Sequence, residues 1–147
     1  MANQSILSVM EVREYVSDYP SENLLLDREE FSDTFIALCM EMASEDYNSM
    51  SPMTSYTTAN FPSKSLLLLG TCWKMYNGKM ALLARNHLSY SDGGLQIPIE
   101  ERYELYKSLA DSYGAQYKET AGKLKISQNI DGGWDYVGGD DGLLPYW

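Results

Sequence analysis

The chain has 147 residues, 44% of them hydrophobic, and a formal net charge of −10. That length suits one domain with a real core, and the acidic balance excludes a surface built to coat DNA or RNA, which would be basic. The charge is uneven: residues 1–48 carry eleven acids against two bases, residues 49–99 one acid against four bases, and residues 100–147 nine acids against five bases.

The opening MANQSILSVMEVREYV has no basic leader region and acquires charge early, so it is not read as a secretion signal. Ser5 to Val16 instead reads as a short amphipathic helix, with Ile6, Val9, Met10, Val12 and Val16 near one face. Asp18-Tyr19-Pro20-Ser21 stops it, because the residue before a proline disfavours helical backbone. Asp27 is the expected cap of a second helix running to about Asn48, with Glu30 completing a capping box. Phe31, Phe35, Leu38, Cys39 and Met42 form its expected core face. A second apolar set, Ile36, Met40, Ala43 and Tyr47, lies off that face and suggests another contact. Residues 49–61 are polar and contain Pro52, which predicts a long loop with at most one short extended piece.

Phe61 to Leu88 is the stretch around which the remainder is expected to pack. Pro62-Ser63 gives a helix start, and beyond it apolar residues point in nearly every direction. Leu66, Leu69, Trp73, Met80 and Leu83 lie on one side, and Leu68, Cys72, Met75 and Leu82 on another. Lys64, Thr71, Lys74, Gly78 and Arg85 make the single narrow polar stripe. Gly70 and Gly78 each cost about 1 kcal/mol in a helix interior, which makes sense where another backbone comes close. The longest apolar run, Leu66–Leu69, is far short of a bilayer span, so a soluble chain with no membrane contact is expected. Cys39 and Cys72 both fall in apolar helical patterns and read as reduced core residues of a protein folded in the cytosol.

Asp92-Gly93-Gly94 supplies a turn, with Leu95 and Ile97 alternating as in a short β-hairpin. Pro98, Glu100 and Glu101 then open the longest helix, to about Asn129. Its expected buried stripe is Tyr106, Leu109, Tyr113, Tyr117 and Leu124, flanked by Tyr103, Ala110 and Ala121, with Lys107, Asp111, Lys118 and Lys125 on the far side. Asp131-Gly132-Gly133 is the expected stop. The fold class is therefore mainly α: a small helical bundle around a central buried helix, with a short β-hairpin and an extended C-terminal arm. The expected division is a helical domain over 1–130 and the arm over 131–147.

No catalytic constellation emerges. His87 is the single histidine, and it sits fifteen positions from Cys72 on one helix, roughly 22 Å, which excludes a dyad. There is no Gly-x-Ser-x-Gly elbow. Glu41 and Glu45 are one turn apart but lack the Glu-x-x-His pairs of a bundle metal site. Gly78-Lys79 fails the phosphate-loop pattern, with Trp73 and Met80 at its ends, and Gly139-Asp140-Asp141 does not match a calcium loop. Neither a cofactor nor a metal is expected, and the chain is not read as an enzyme. The arm is the informative part. Gly132, Gly133, Gly138, Gly139 and Gly142 are joints, and Trp134, Tyr136, Val137, Leu143, Leu144, Pro145, Tyr146 and Trp147 are the candidate partner-binding residues. Aromatic groups on an adaptable backbone suit a partner's groove, the other reading being that the arm folds back on its own helices.

The order of these parts resembles the head–tail connector (adaptor) family of tailed bacteriophages. The likeness lies in the small helical domain and above all in ARNHLSYSDGGLQIPIEERYELYKSLADSYGAQYKETAGKLKISQNI, residues 84–130, where a buried helix, the Asp92-Gly93-Gly94 turn, the Ile97-Pro98 entry and a long tyrosine-bearing helix follow one another. The resemblance implies a structural virion protein in the neck between capsid and tail, assembled in the host cytoplasm. Its copies would form a ring, usually twelvefold, that joins the portal protein to tail proteins. Genomic DNA would pass through the ring without specific binding, and an acidic lining suits such a conduit because it repels phosphate. Two other classes share this composition: a helical interaction or regulatory domain outside the virion, and a small enzyme, which would need a deep pocket with convergent polar groups.

Overall fold

The computed structural model of the chain describes residues 5–23, 27–85 and 99–138, with backbone alone at 99–101 and 133–138. It is mainly helical. Helices α1 (Val9–Val16), α2 (Asp33–Ser49), α3 (Lys64–Arg85) and α4 (Ile99–Gly138) follow in chain order, and no strand occurs among the described residues. The hairpin expected before α4 lies outside the described residues, as does His87.

Helix α1 starts at a reciprocal cap rather than at Ser5. The Glu11 amide donates to the Ser8 hydroxyl, and the Ser8 amide donates to the Glu11 carboxylate at 2.9 Å. Ser5 and Ile6 instead tie the start of the chain to the later loop, both donating to the Thr58 carbonyl. The helix ends at Ser17, whose left-handed backbone lets its amide return to the last turn.

The expected Asp27 cap is corrected. Asp27 has φ 50°, and its amide donates to the Asn23 carbonyl, so it belongs to a turn; Ser32 caps α2 by accepting from the Phe35 amide. Of the expected core face of α2, Phe31 and Cys39 are buried and Phe35 half-buried, and the second apolar set takes the places expected for Leu38 and Met42. Ile36, Cys39, Met40, Ala43 and Tyr47 are buried, whereas Leu38 is 50% and Met42 41% exposed. The exchange follows from what faces α2: the small Ala43 lies against Gly70 of α3, and the Tyr47 hydroxyl donates to Gln128 of α4.

Helix α3 packs against each of the other three. Ser63 caps it as expected, accepting from the Leu66 amide. Burial is concentrated in its first half, from Leu66 to Tyr76, while Leu82 is exposed. Thr71, expected in the polar stripe, is fully buried and donates to the Leu67 carbonyl at 2.7 Å, which satisfies its hydroxyl without leaving the helix. Close approach does explain the two glycines, but the approaching groups are aromatic rings and a methyl rather than backbone. A Cβ at Gly70 would lie 2.6 Å from the Tyr117 ring and 2.8 Å from the Ala43 Cβ; one at Gly78 would lie 2.5 Å from the Phe35 ring.

Helix α4 runs antiparallel to α3, since Gly70 meets Tyr117 while Tyr76 stacks on Tyr113. Its buried stripe is Ala110, Gly114, Tyr117, Ala121 and Lys125, at steps of three or four. Leu109, expected inside, is 40% exposed, and Lys125, expected outside, is 2% exposed. The Lys125 ammonium is hidden because it donates to the Pro52 carbonyl at 2.7 Å and to the Thr54 hydroxyl at 2.8 Å, above the Tyr47 ring. Burial lowers its pKa. The loop 50–61 is itself ordered by Asn48, whose amide group donates to the Tyr56 carbonyl and accepts from the Tyr56 amide. Tyr47, Tyr56 and Phe61 then form an aromatic cluster under it, with Tyr47 and Phe61 centroids 5.1 Å apart.

The glycines at 132 and 133 do not stop α4. The helix continues through Gly138, so the extended arm expected from 131 is corrected to helix over 131–138. A helix already nucleated extends at little cost per residue, and two glycines add only about 1 kcal/mol each against it.

Candidate functional site

Two features have the character of sites. The first is a cleft at the end of the body where α1 finishes and α4 begins. Its foundation is a buried ion pair. Arg13 is 5% and Asp18 3% exposed, and the guanidinium donates to the Asp18 carboxylate at 2.8 Å. Arg13 also donates to the Phe31 carbonyl and to Asp33, both at 2.6 Å. Asp18 accepts from the Asn23 amide group and from the amides of Glu30 and Phe31. Burial alone would lower the Arg13 pKa, but Asp33, Glu29 and Asp18 outweigh it and the net shift is upward. A charged pair so deep costs desolvation that its mutual attraction roughly offsets. What it achieves is geometric: Glu30 and Phe31 are held at the end of α1 and delivered to α3 and α4.

Glu30 then joins three elements. Its carboxylate accepts from the Tyr106 hydroxyl at 2.6 Å and pairs with Lys79 at 2.9 Å, with Arg102 at 3.9 Å. Burial, reinforced by the Glu30 hydrogen bond, pushes the Tyr106 phenol up to about 12. Tyr76 stacks on Tyr113 with centroids 5.7 Å apart, and Tyr106 leans on Tyr76 at 5.8 Å. The resulting cleft has a volume of about 460 Å3 and is walled by Val16, Phe31, Tyr76, Leu105, Tyr106 and Leu109, with Arg102 at its rim. Its walls are mostly apolar, and Asp18 and Glu30 are already committed to hydrogen bonds. That environment suits the binding of an apolar group and offers no nucleophile–base pair.

The second feature is the far end of α4. Gln128 accepts from the Tyr47 hydroxyl and donates to the Tyr56 hydroxyl. Asn129, Ile130, Asp131 and Gly132 are all exposed. Four consecutive exposed positions cover more than one full turn, so the helix has left the body by 129. It runs on to Gly138, about 15 Å past Gln128 at 1.5 Å per residue. Ile126 and Ile130, 63% and 52% exposed, stand one turn apart at the start of this overhang.

Among the candidate partner-binding residues, Trp134, Tyr136 and Val137 fall on the helical overhang. Leu143, Leu144, Pro145, Tyr146 and Trp147 lie outside the described residues, as does Gly139-Asp140-Asp141. Glu41 and Glu45 are exposed on α2, and among the described residues no three His, Cys, Asp or Glu side chains converge on one point. Lys79 is drawn into the ion pair with Glu30. Cys39 and Cys72 are both buried free thiols, pushed up by burial to about 11 and about 12. Among the described residues no helix is long and apolar enough to cross a membrane. The cleft was not legible in the sequence: Arg13 sits inside an apolar helical pattern, and only that misplaced charge, with Asp18 five positions on, hinted at a buried pair. No protein-family model, curated protein or solved structure matches the chain.

Proposed function

We propose that the chain is a head-to-tail connector (adaptor) subunit of a tailed bacteriophage, one copy in a ring that sits below the portal, joins it to the tail and leaves a channel for DNA. The observation that carries this reading is the overhang of α4. A helical body that buries its own core nevertheless sends one helix clear of itself, with exposed isoleucines where it departs and a run of large apolar residues after it. Such a projection gains nothing for the isolated subunit and suits contact with another chain. Exposed apolar pairs one turn apart recur elsewhere: Leu38 and Met42 on α2, and Leu105 and Leu109 on α4. A ring subunit needs several such faces, one for each neighbour and one for each end of the channel. The acidic face of α2, with Glu41 and Glu45 exposed, suits a lining past which phosphate slides.

The test is to image the purified chain alone and mixed with portal assemblies. Rings with an axial channel that stack on the portal are expected. A variant lacking residues 131–147 is expected to keep its helical circular dichroism and fail to join the portal. A chain that stays monomeric at every concentration and ignores the portal would remove this reading.

A further inference from the structure

The cleft at the start of α4 and the apolar run after its end are complementary, and they lie at opposite ends of one helix. We propose that residues 143–147 of one copy of this chain insert into the cleft of a second copy, with Leu105, Leu109, Tyr76, Tyr106 and Phe31 receiving the apolar side chains and Arg102 meeting Asp140 and Asp141. The inference deepens the ring reading above and rests on it, since it names the contact that joins neighbouring subunits.

Reach decides that the contact is between copies. Leu109 and Gly138 are 29 positions apart on α4, which is about 44 Å along the helix axis. Trp147 is nine residues beyond Gly138 and extends at most about 32 Å from it, while Leu143 extends only about 18 Å. The segment therefore falls short of its own cleft however it runs. A neighbouring copy shifted along the helix axis brings a cleft within range.

Chemistry agrees with geometry. The cleft presents three aromatic rings and two leucines, Leu105 being 66% and Leu109 40% exposed. Its volume, about 460 Å3, falls in the range of pockets that enclose a compact apolar ligand. Leu143, Leu144, Pro145, Tyr146 and Trp147 supply that content in a stretch whose proline disfavours helix at Leu144 and suits extended insertion. Arg102, with 42% of its side chain exposed at the rim, is placed for the two aspartates that precede this stretch. Because cleft and insert are different surfaces, each copy gives with one end and receives with the other. Such a head-to-tail contact repeats from copy to copy and closes into a ring when the rotation allows.

The experiment uses two full-length variants carrying different tags, Leu109→Cys and Leu144→Cys, mixed and oxidised mildly. Cys39 and Cys72 are buried, which keeps the background of native thiols low. A covalent heterodimer is expected to form about tenfold faster than homodimers of either variant alone, and Leu109→Glu is expected to weaken self-association about tenfold or more with unchanged circular dichroism. No excess of heterodimer over the homodimer controls overturns the proposal, whatever Leu109→Glu does. If the chain still self-associates in that case, the ring stands and only this contact falls; if it is monomeric throughout, both fall.

Discussion

The packed length of α4, from Tyr106 to Gln128, and its overhang from 129 to 138 are one continuous helix under opposite constraints. In the packed part every third or fourth side chain is fitted to a neighbour. Tyr117 lies against Gly70 and donates to the Ala43 carbonyl at 2.6 Å, and Gly114 leaves room for Trp73. From Asn129 to Gly132 the exposed positions follow one another without a break. The difference teaches that backbone continuity says little about where a helix derives its stability: tertiary contact holds the first part, and propagation from it sustains the second.

Substitutions should separate the two parts. Tyr117→Ala is expected to have the largest effect, destabilising by about 3–5 kcal/mol through lost burial and the cavity left between α2, α3 and α4. Urea unfolding measures it, and a loss below about 1 kcal/mol would mean that the packed part is not the support it looks to be. Gly114→Val comes next, at about 1–3 kcal/mol, because a Cβ there would lie 2.7 Å from the Trp73 indole nitrogen; the same substitution at Gly132, with nothing within 4 Å, should leave the midpoint almost unmoved.

Alkaline pH should act on the buried interior that α4 shares with α2 and α3. Burial raises the pKa of Cys72 from 9.0 to about 12, and also raises those of Tyr76, Tyr113 and Tyr117. A raised folded pKa means that the stability is complete below the unfolded value and is lost as pH climbs toward the folded one. Unfolding free energy should therefore decline above about pH 9, and a late rise in phenolate absorbance from the buried tyrosines should coincide with unfolding. A single smooth titration would contradict the burial described for α3 and α4. The smallest effect on stability is expected from Ile126→Ser with Ile130→Ser, within about 0.5 kcal/mol by urea unfolding.

The helical class and the cap at Ser63 after Pro62 were readable because they are local: a hydroxyl, a proline and an apolar period suffice. What escaped was set by partners far away in sequence. Both apolar sides of α2 look equally able to face the core, and the choice between them rests on Gly70 accepting Ala43 and on Gln128 meeting Tyr47. Lys125 reads as a surface residue until the Pro52 carbonyl and Thr54 are known to lie above it. Asp27 resembles a cap, yet Asp18, accepting from the Glu30 and Phe31 amides, holds residues 27–31 out of helix until Ser32. The cleft escaped for the same reason, since its walls come from α1, the segment after it, α3 and α4.

The overhang also has a mechanical meaning. A helix clamped at Lys125 and Gln128 and exposed from 129 to 132 is a cantilever, and its fulcrum is made by the loop 50–61 together with Tyr47 of α2. A tilt of about 10° there would swing the tip by roughly 2–3 Å, given the 1.5 Å rise of each residue beyond it. Force applied at the tip is thus delivered first to polar contacts that can break and re-form one at a time.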